Sequence, residues 1–66
     1  MEIFVNGNVH TIPEHFSVRD LLGLLELENK RIAVELNQEL IPRSQFANKH
    51  LSDQDRIEII HAVGGG

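Results

Sequence analysis

The sequence predicts an α+β domain: a mixed sheet of four to five strands with one main helix packed on one face. Three observations carry that reading. Short apolar runs of strand length recur along the chain. Between them lies a single stretch with apolar residues spaced three and four apart. At 66 residues the chain has room for one domain, and a chain this short buries only ~60% of its unfolded surface.

Ile3-Phe4-Val5 opens the first strand, and Asn6-Gly7-Asn8 follows it. Asn-Gly is the strongest short-range hairpin signal, because both residues tolerate positive φ. Val9 to Ile12 then reads as the returning strand, stopped by Pro13, which has no ladder N–H to give. Ser17 is placed to cap a helix, with Asp20 three residues on in capping-box position and Phe16 and Leu21 in staple positions. Val18, Leu21, Leu22 and Leu25 form the buried stripe, widened by Leu24 and Leu27. The helix is expected to end near Glu28-Asn29-Lys30, with Asn29 as a left-handed cap.

Ile32, Val34 and Leu36 alternate with Ala33, Glu35 and Asn37, the pattern of a strand with one buried face. Asn37-Gln38 allows a turn, Glu39-Leu40-Ile41 a brief pairing, and Pro42 a stop. Arg43 to Phe46 makes one short helical turn with Phe46 at the edge of the core. Residues 47–55 are polar apart from Leu51. Arg56 to Val63 is the last strand, with Ile57 and Ile59 on one face and Glu58, Ile60 and Ala62 on the other. The helix is expected to cover Ile3, Val5, Ile32, Val34, Ile57 and Ile59. The opposite face would carry Phe4, Ala33 and Ile60 beside Glu35 and Glu58, a small apolar patch rimmed by acids and suited to docking.

Composition narrows the function classes. Six Lys and Arg stand against ten Asp and Glu, with no basic stripe, which argues against nucleic-acid binding. With no cysteine there is no disulfide, thiol nucleophile or thiolate metal ligand. No run approaches the ~20 apolar residues of a membrane span. The start lacks a basic segment followed by an apolar one, so the expected location is the cytoplasm.

The other candidate sites are weak. His10, His15, His50 and His61 match no short metal-ligand spacing. Asp53 and Asp55 lack the remainder of a calcium loop and read as a solvated turn. Glu35, Glu39 and Glu58 have no deep pocket to raise a carboxyl pKa and read as surface charge available to a partner's Arg or Lys. Arg43 reads either as a brace for its short turn through a carboxylate pair or as an ordinary exposed cation.

The chain closes with Val63-Gly64-Gly65-Gly66. Three glycines have no side chain to bury and the widest backbone freedom. Residues 1–63 are therefore expected to form the folded domain and 64–66 a flexible tail. Such a tail can thread a narrow channel and present the Gly66 carboxylate to a partner. No Lys, Ser or helix follows the glycines, so they are not a phosphate-binding loop.

The predicted element order matches the ubiquitin-like β-grasp. The chain resembles the ThiS family of sulfur carriers in thiamine biosynthesis over essentially its whole length. The marks are Ile3-Phe4-Val5-Asn6-Gly7, Ser17-Val18-Arg19-Asp20-Leu21-Leu22, Ile32-Ala33-Val34-Glu35-Leu36-Asn37, Ile41-Pro42-Arg43, Asp53-Gln54-Asp55-Arg56-Ile57-Glu58 and Gly65-Gly66. The Ile-Pro-Arg segment and the short length favour this family over relatives serving molybdopterin synthesis. Gln54 departs from the resemblance, since these proteins commonly have Gly between the two acids.

The resemblance implies a protein cosubstrate, not an enzyme. A ThiF-like adenylyltransferase using magnesium-ATP would adenylate Gly66. Sulfur from a persulfide donor would replace AMP, and the resulting thiocarboxylate would serve a ThiG-like thiazole synthase. No cofactor is expected to be bound stably. The proposed docking residues are Phe4, Glu35, Glu58, Ile60 and Ala62, with Gly64 and Gly65 leading to the attachment site at Gly66.

Overall fold

The structure is a computed structural model that describes residues 1–62. Five strands and one α-helix follow one another as β1 (Glu2–Val5), β2 (Asn8–Thr11), α1 (Val18–Leu24), β3 (Ile32–Leu36), β4 (Glu39–Ile41) and β5 (Arg56–His61). A single 3₁₀ turn, Arg43–Gln45, lies between β4 and β5. The sheet order is β2-β1-β5-β3-β4, with β5 at the centre. β1 and β5 run parallel, and the other neighbours run antiparallel.

Both hairpins turn through two residues at positive φ, as the twist of the paired strands requires. In the first these are Asn6 at 49° and Gly7 at 85°. In the second they are Asn37 at 51° and Gln38 at 71°. Gln38 is a poor choice for that conformation, and the turn is held by its neighbour. The Asn37 N–H donates to the Arg56 carbonyl at 2.7 Å, and the Arg56 N–H donates to the Asn37 side-chain oxygen at 2.9 Å.

The helix starts as its sequence indicates. The Ser17 hydroxyl accepts from the Asp20 N–H at 3.0 Å, and the Asp20 carboxylate accepts from the Ser17 N–H at 3.0 Å. These two bonds satisfy donors that a helix start otherwise leaves unpaired. The end differs from expectation. The helix stops at Leu24, not near Glu28-Asn29-Lys30, and Glu26 at φ 60°, not Asn29, takes the left-handed position. The Glu26 N–H donates to the Gly23 carbonyl at 3.1 Å and the Leu27 N–H to the Leu22 carbonyl at 2.8 Å. That bond pair is a Schellman closure, and it turns Leu27 back against the core. Leu24, expected on the apolar face, is 56% exposed.

The core forms between α1 and the inner sheet face. Ile3 and Val5 of β1, Val34 and Leu36 of β3, Ile57 and Ile59 of β5, and Val18, Leu21 and Leu22 of α1 are all buried. Ile12, Ile41, Phe46 and Leu51 close its edges. Ile32 is half-buried and packs on the rim of this core, not within it. It pairs with His61 at the end of the β3–β5 ladder.

Candidate functional site: the outer sheet face and the end of the last strand

Alternation along the strands sends Phe4 to the outer face, opposite the helix, and the register shows what meets it there. Phe4 pairs with Val9 on one side and Arg56 on the other. The Arg56 guanidinium stands over the Phe4 ring, 5.0 Å from its centroid, a cation–π arrangement. Farther across the sheet, Glu58 lies opposite Glu35, and Glu35 opposite Leu40. One step toward the chain end, Ile60 lies opposite Ala33. Val9, Leu40 and Ile60 are 57%, 63% and 50% exposed. The outer face is thus a shallow apolar surface with two carboxylates side by side near its middle. Like charges directly opposite one another oppose sheet formation, so this pair is placed at a cost to the fold.

The structure brings four of the five proposed docking residues, Phe4, Glu35, Glu58 and Ile60, onto this face. Ala62 follows β5, is exposed, and donates its N–H to the Arg31 carbonyl at 2.9 Å. Glu39 is not part of the group. It pairs with Leu36, so alternation sends it to the opposite side of the sheet from Glu35 and Glu58. Val9 and Leu40 belong to the surface but were not singled out from the sequence. Their signal was the hairpin register, which sets each across from a residue already assigned outward.

Asp53 and Asp55 do more than make a solvated turn. The Asp53 carboxylate accepts from the Glu2 N–H at 2.7 Å. Asp55 accepts from the Ser52 N–H at 2.7 Å and from the Asn37 side-chain amide at 3.0 Å. Between them Gln54 sits at φ 71° and donates its N–H to the Glu2 carbonyl. Gln54 thus occupies the left-handed conformation that Gly adopts without strain. The loop ties the start of β1 to the start of β5.

A second asparagine acts farther along β5. The Asn6 side-chain oxygen accepts from the Ile59 N–H at 2.8 Å, and its amide donates to the Ile59 carbonyl at 3.2 Å. The sequence marks Asn6 only as a turn residue.

Arg43 is exposed and opens the 3₁₀ turn. It lines an open cleft of about 440 Å³ with Arg19, Lys30, Leu22, Leu27 and Phe46. It also lines a shallower one of about 250 Å³ with Arg31, Ile60 and Ala62. Among the described residues no three His, Asp or Glu side chains are grouped as metal ligands. No described helix is long and apolar enough to cross a membrane. The tail residues Gly64, Gly65 and Gly66 lie outside the described residues.

A five-stranded mixed sheet of this order, wrapped on one helix, defines a ubiquitin-like β-grasp domain. Comparison with known proteins narrows the class. The family model described as ThiS family matches residues 3–66. The sulfur carrier protein ThiS of Bacillus subtilis is 46% identical over 50 residues, covering 76% of each chain. The crystal structure of a thiamine biosynthesis protein (ThiS) from Geobacter metallireducens superposes with a TM-score of 0.86 at 33% identity, covering both chains fully. A thiazole synthase of Paramagnetospirillum magneticum is 35% identical over all 66 residues, which correspond to 20% of that protein. The chain belongs to the ThiS family.

Proposed function

We propose that this protein is a sulfur carrier in thiamine biosynthesis and that its reactive group is the carboxylate of Gly66. The observation that carries this reading is the family match, which runs through the Gly65-Gly66 pair. A carboxylate is a poor electrophile until one oxygen becomes part of a leaving group. In the proposed cycle a Gly66 carboxylate oxygen attacks the α-phosphorus of magnesium-ATP on a ThiF-like adenylyltransferase, and pyrophosphate leaves. The terminal sulfur of a persulfide donor then attacks the acyl carbon, and AMP leaves. A second thiol cleaves the resulting sulfur–sulfur bond, is itself oxidised to a disulfide, and leaves the thiocarboxylate on Gly66.

The acceptor in this reading is a ThiG-like thiazole synthase. Support comes from relatives in which a segment similar to this entire chain makes up 20% of a thiazole synthase. Carrier and synthase on one polypeptide are held at high effective concentration, as partners in direct transfer would be. The activating enzyme supplies ATP, magnesium and the electrostatic stabilisation of the transferring group. The carrier supplies a rigid domain and a narrow acyl terminus, and holds no cofactor of its own. We place the cycle in the cytoplasm, where ATP is available.

Docking to the adenylyltransferase is assigned to the outer sheet face. Phe4, Ile60 and Ala62 offer apolar contact, while Glu35 and Glu58 offer paired negative charge to Arg or Lys on the enzyme. From Ala62 the four remaining residues can span at most ~14 Å. The enzyme's acyl-transfer centre must therefore lie within that reach of Ala62.

Deletion of Gly65 and Gly66 tests the proposal. The shortened chain should fold as the parent does and support no thiazole formation in a reconstituted mixture. Retained sulfur delivery would refute the reading and make the domain an interaction module.

A further inference from the structure

We infer that Asn6 is a positioning residue for the reaction at Gly66: its side chain fixes the second half of β5, the strand that leads on to Gly66, relative to the docking face. The inference rests on the function proposed above.

β1 and β5 pair through only two positions, Phe4 with Arg56 and Val5 with Ile57. β1 must stop there because the chain reverses at Asn6 and Gly7. β5 nevertheless continues to His61. Along that extension its other edge stays paired with β3, through Ile32 opposite His61 and the Ala62 N–H on the Arg31 carbonyl. Among the described residues, no strand lies beside the edge facing β1 past that point.

Asn6 fills that place alone. Its backbone N–H donates to the Ile57 carbonyl at 2.9 Å. Its side-chain amide then meets both backbone groups of Ile59, accepting at 2.8 Å and donating at 3.2 Å. A carboxamide has the same donor and acceptor as a peptide group, so one residue prolongs the parallel ladder by a further step. The φ of 49° aims the side chain along β5, and Asn is among the few L-residues that adopt it readily. Asp would set a carboxylate oxygen against the Ile59 carbonyl. Ala would leave the groups of Ile59, a residue only 6% exposed, without their partners.

The position of this clamp gives it a functional consequence. The docking face spans two strands, Phe4 on β1 and Ile60 on β5. The tail leaves from β5 alone. An enzyme that grips both strands sets a frame, and the end of β5 fixes where in that frame the chain sets out for the acyl-transfer centre. Asn6 bonds the end of β1 to the residue preceding Ile60. Removing it leaves the end of β5 attached only to β3, free to shift against Phe4. Displacement of a reacting group by about 1 Å can cost up to ~100-fold in rate.

The test uses Asn6→Ala and Asn6→Asp, each in an otherwise unchanged chain and in one carrying Glu26→Gly. The latter change relieves a left-handed residue far from the face and offsets lost stability. Rates of pyrophosphate release with the adenylyltransferase are taken per folded molecule. A positioning role predicts that kcat falls at least about tenfold while KM for the carrier stays within about twofold. Amide hydrogen exchange at Ile59 and Ala62 should accelerate in the same variants. An unchanged kcat per folded molecule would overturn the inference, as would a loss confined to KM. Failure of the parent chain to be adenylated would instead refute the proposed function, and hydrogen exchange would still report whether the clamp holds the strand.

Discussion

Gln54→Gly should stabilise the protein, and the reason can be worked from the turn. Gln54 sits at φ 71°, where an L side chain costs roughly 1–2 kcal/mol. The bonds that define the turn do not need its side chain. The residue's N–H reaches the Glu2 carbonyl, and Asp53 and Asp55 bond to the Glu2 and Ser52 backbones. The one side-chain contact, from the Gln54 amide to the Asp53 carboxylate, is long at 3.5 Å and exposed, so little is lost with it. Glycine adds unfolded-chain entropy worth roughly 0.5–1 kcal/mol. The two ranges differ by about 0–1.5 kcal/mol, a net gain centred on about 0.75 kcal/mol. For a domain of this size that raises Tm by about 4–7 °C. Thermal and urea unfolding of Gln54→Gly beside Gln54→Ala would check it. Alanine keeps the backbone strain and loses the contact, so its Tm should stay level or fall. A glycine variant with lowered Tm, or an alanine variant equally stabilised, would refute strain at φ as the cause.

Other perturbations have equally direct expectations. Ser17→Ala removes the acceptor for the Asp20 N–H at a buried cap and should cost about 1 kcal/mol in urea unfolding. The Asp20 carboxyl is held below its ordinary pKa, first by the Ser17 backbone N–H and then by its hydroxyl. A pKa depressed in the folded state means stability that is present above the unfolded value and lost as pH falls through the folded one. Asp20→Asn should therefore flatten the acid limb of the stability–pH curve while leaving the curve's shape above neutrality alone. Ile60→Asp adds a third charge beside Glu35 and Glu58 at a half-exposed position. It should change folding stability by less than ~1 kcal/mol and weaken capture by the adenylyltransferase at least about tenfold. Unaltered affinity in a binding titration would remove the outer face from the docking account.

Local periodicity carried most of this fold because its strands and helix follow their periods closely. Alternation placed Ile57 and Ile59 inward and Ile60 outward, and the three- and four-residue spacing placed Val18, Leu21 and Leu22 on the sheet. Ser17 and Asp20 were legible because a capping box is complete within four residues. What escaped was set by distant partners. Nothing near Asn6 indicates that its amide will meet Ile59, 53 residues away, because that meeting depends on the parallel register of β1 and β5. Asn37 and Asp55 likewise find each other only once β3 and β5 are aligned. The helix end was misplaced because Asn29 is the better left-handed residue by composition, while burial of Leu27 selected Glu26. The candidate site divides the same way. Phe4, Glu35, Glu58 and Ile60 could be assigned to one face by parity, whereas Val9 and Leu40 required the hairpin registers.

The proposed function requires that sulfur be carried on the carboxyl group of Gly66. Incubation of the protein with a ThiF-like enzyme, magnesium-ATP and a persulfide donor, followed by intact mass spectrometry, tests it most directly. Sulfur carriage on Gly66 predicts the mass gain of one oxygen replaced by sulfur. It also predicts an alkylation product that fragmentation maps to Gly66, which oxidation of Met1 would not give. An unmodified Gly66, in a mixture that converts a known carrier to its thiocarboxylate, would contradict the account.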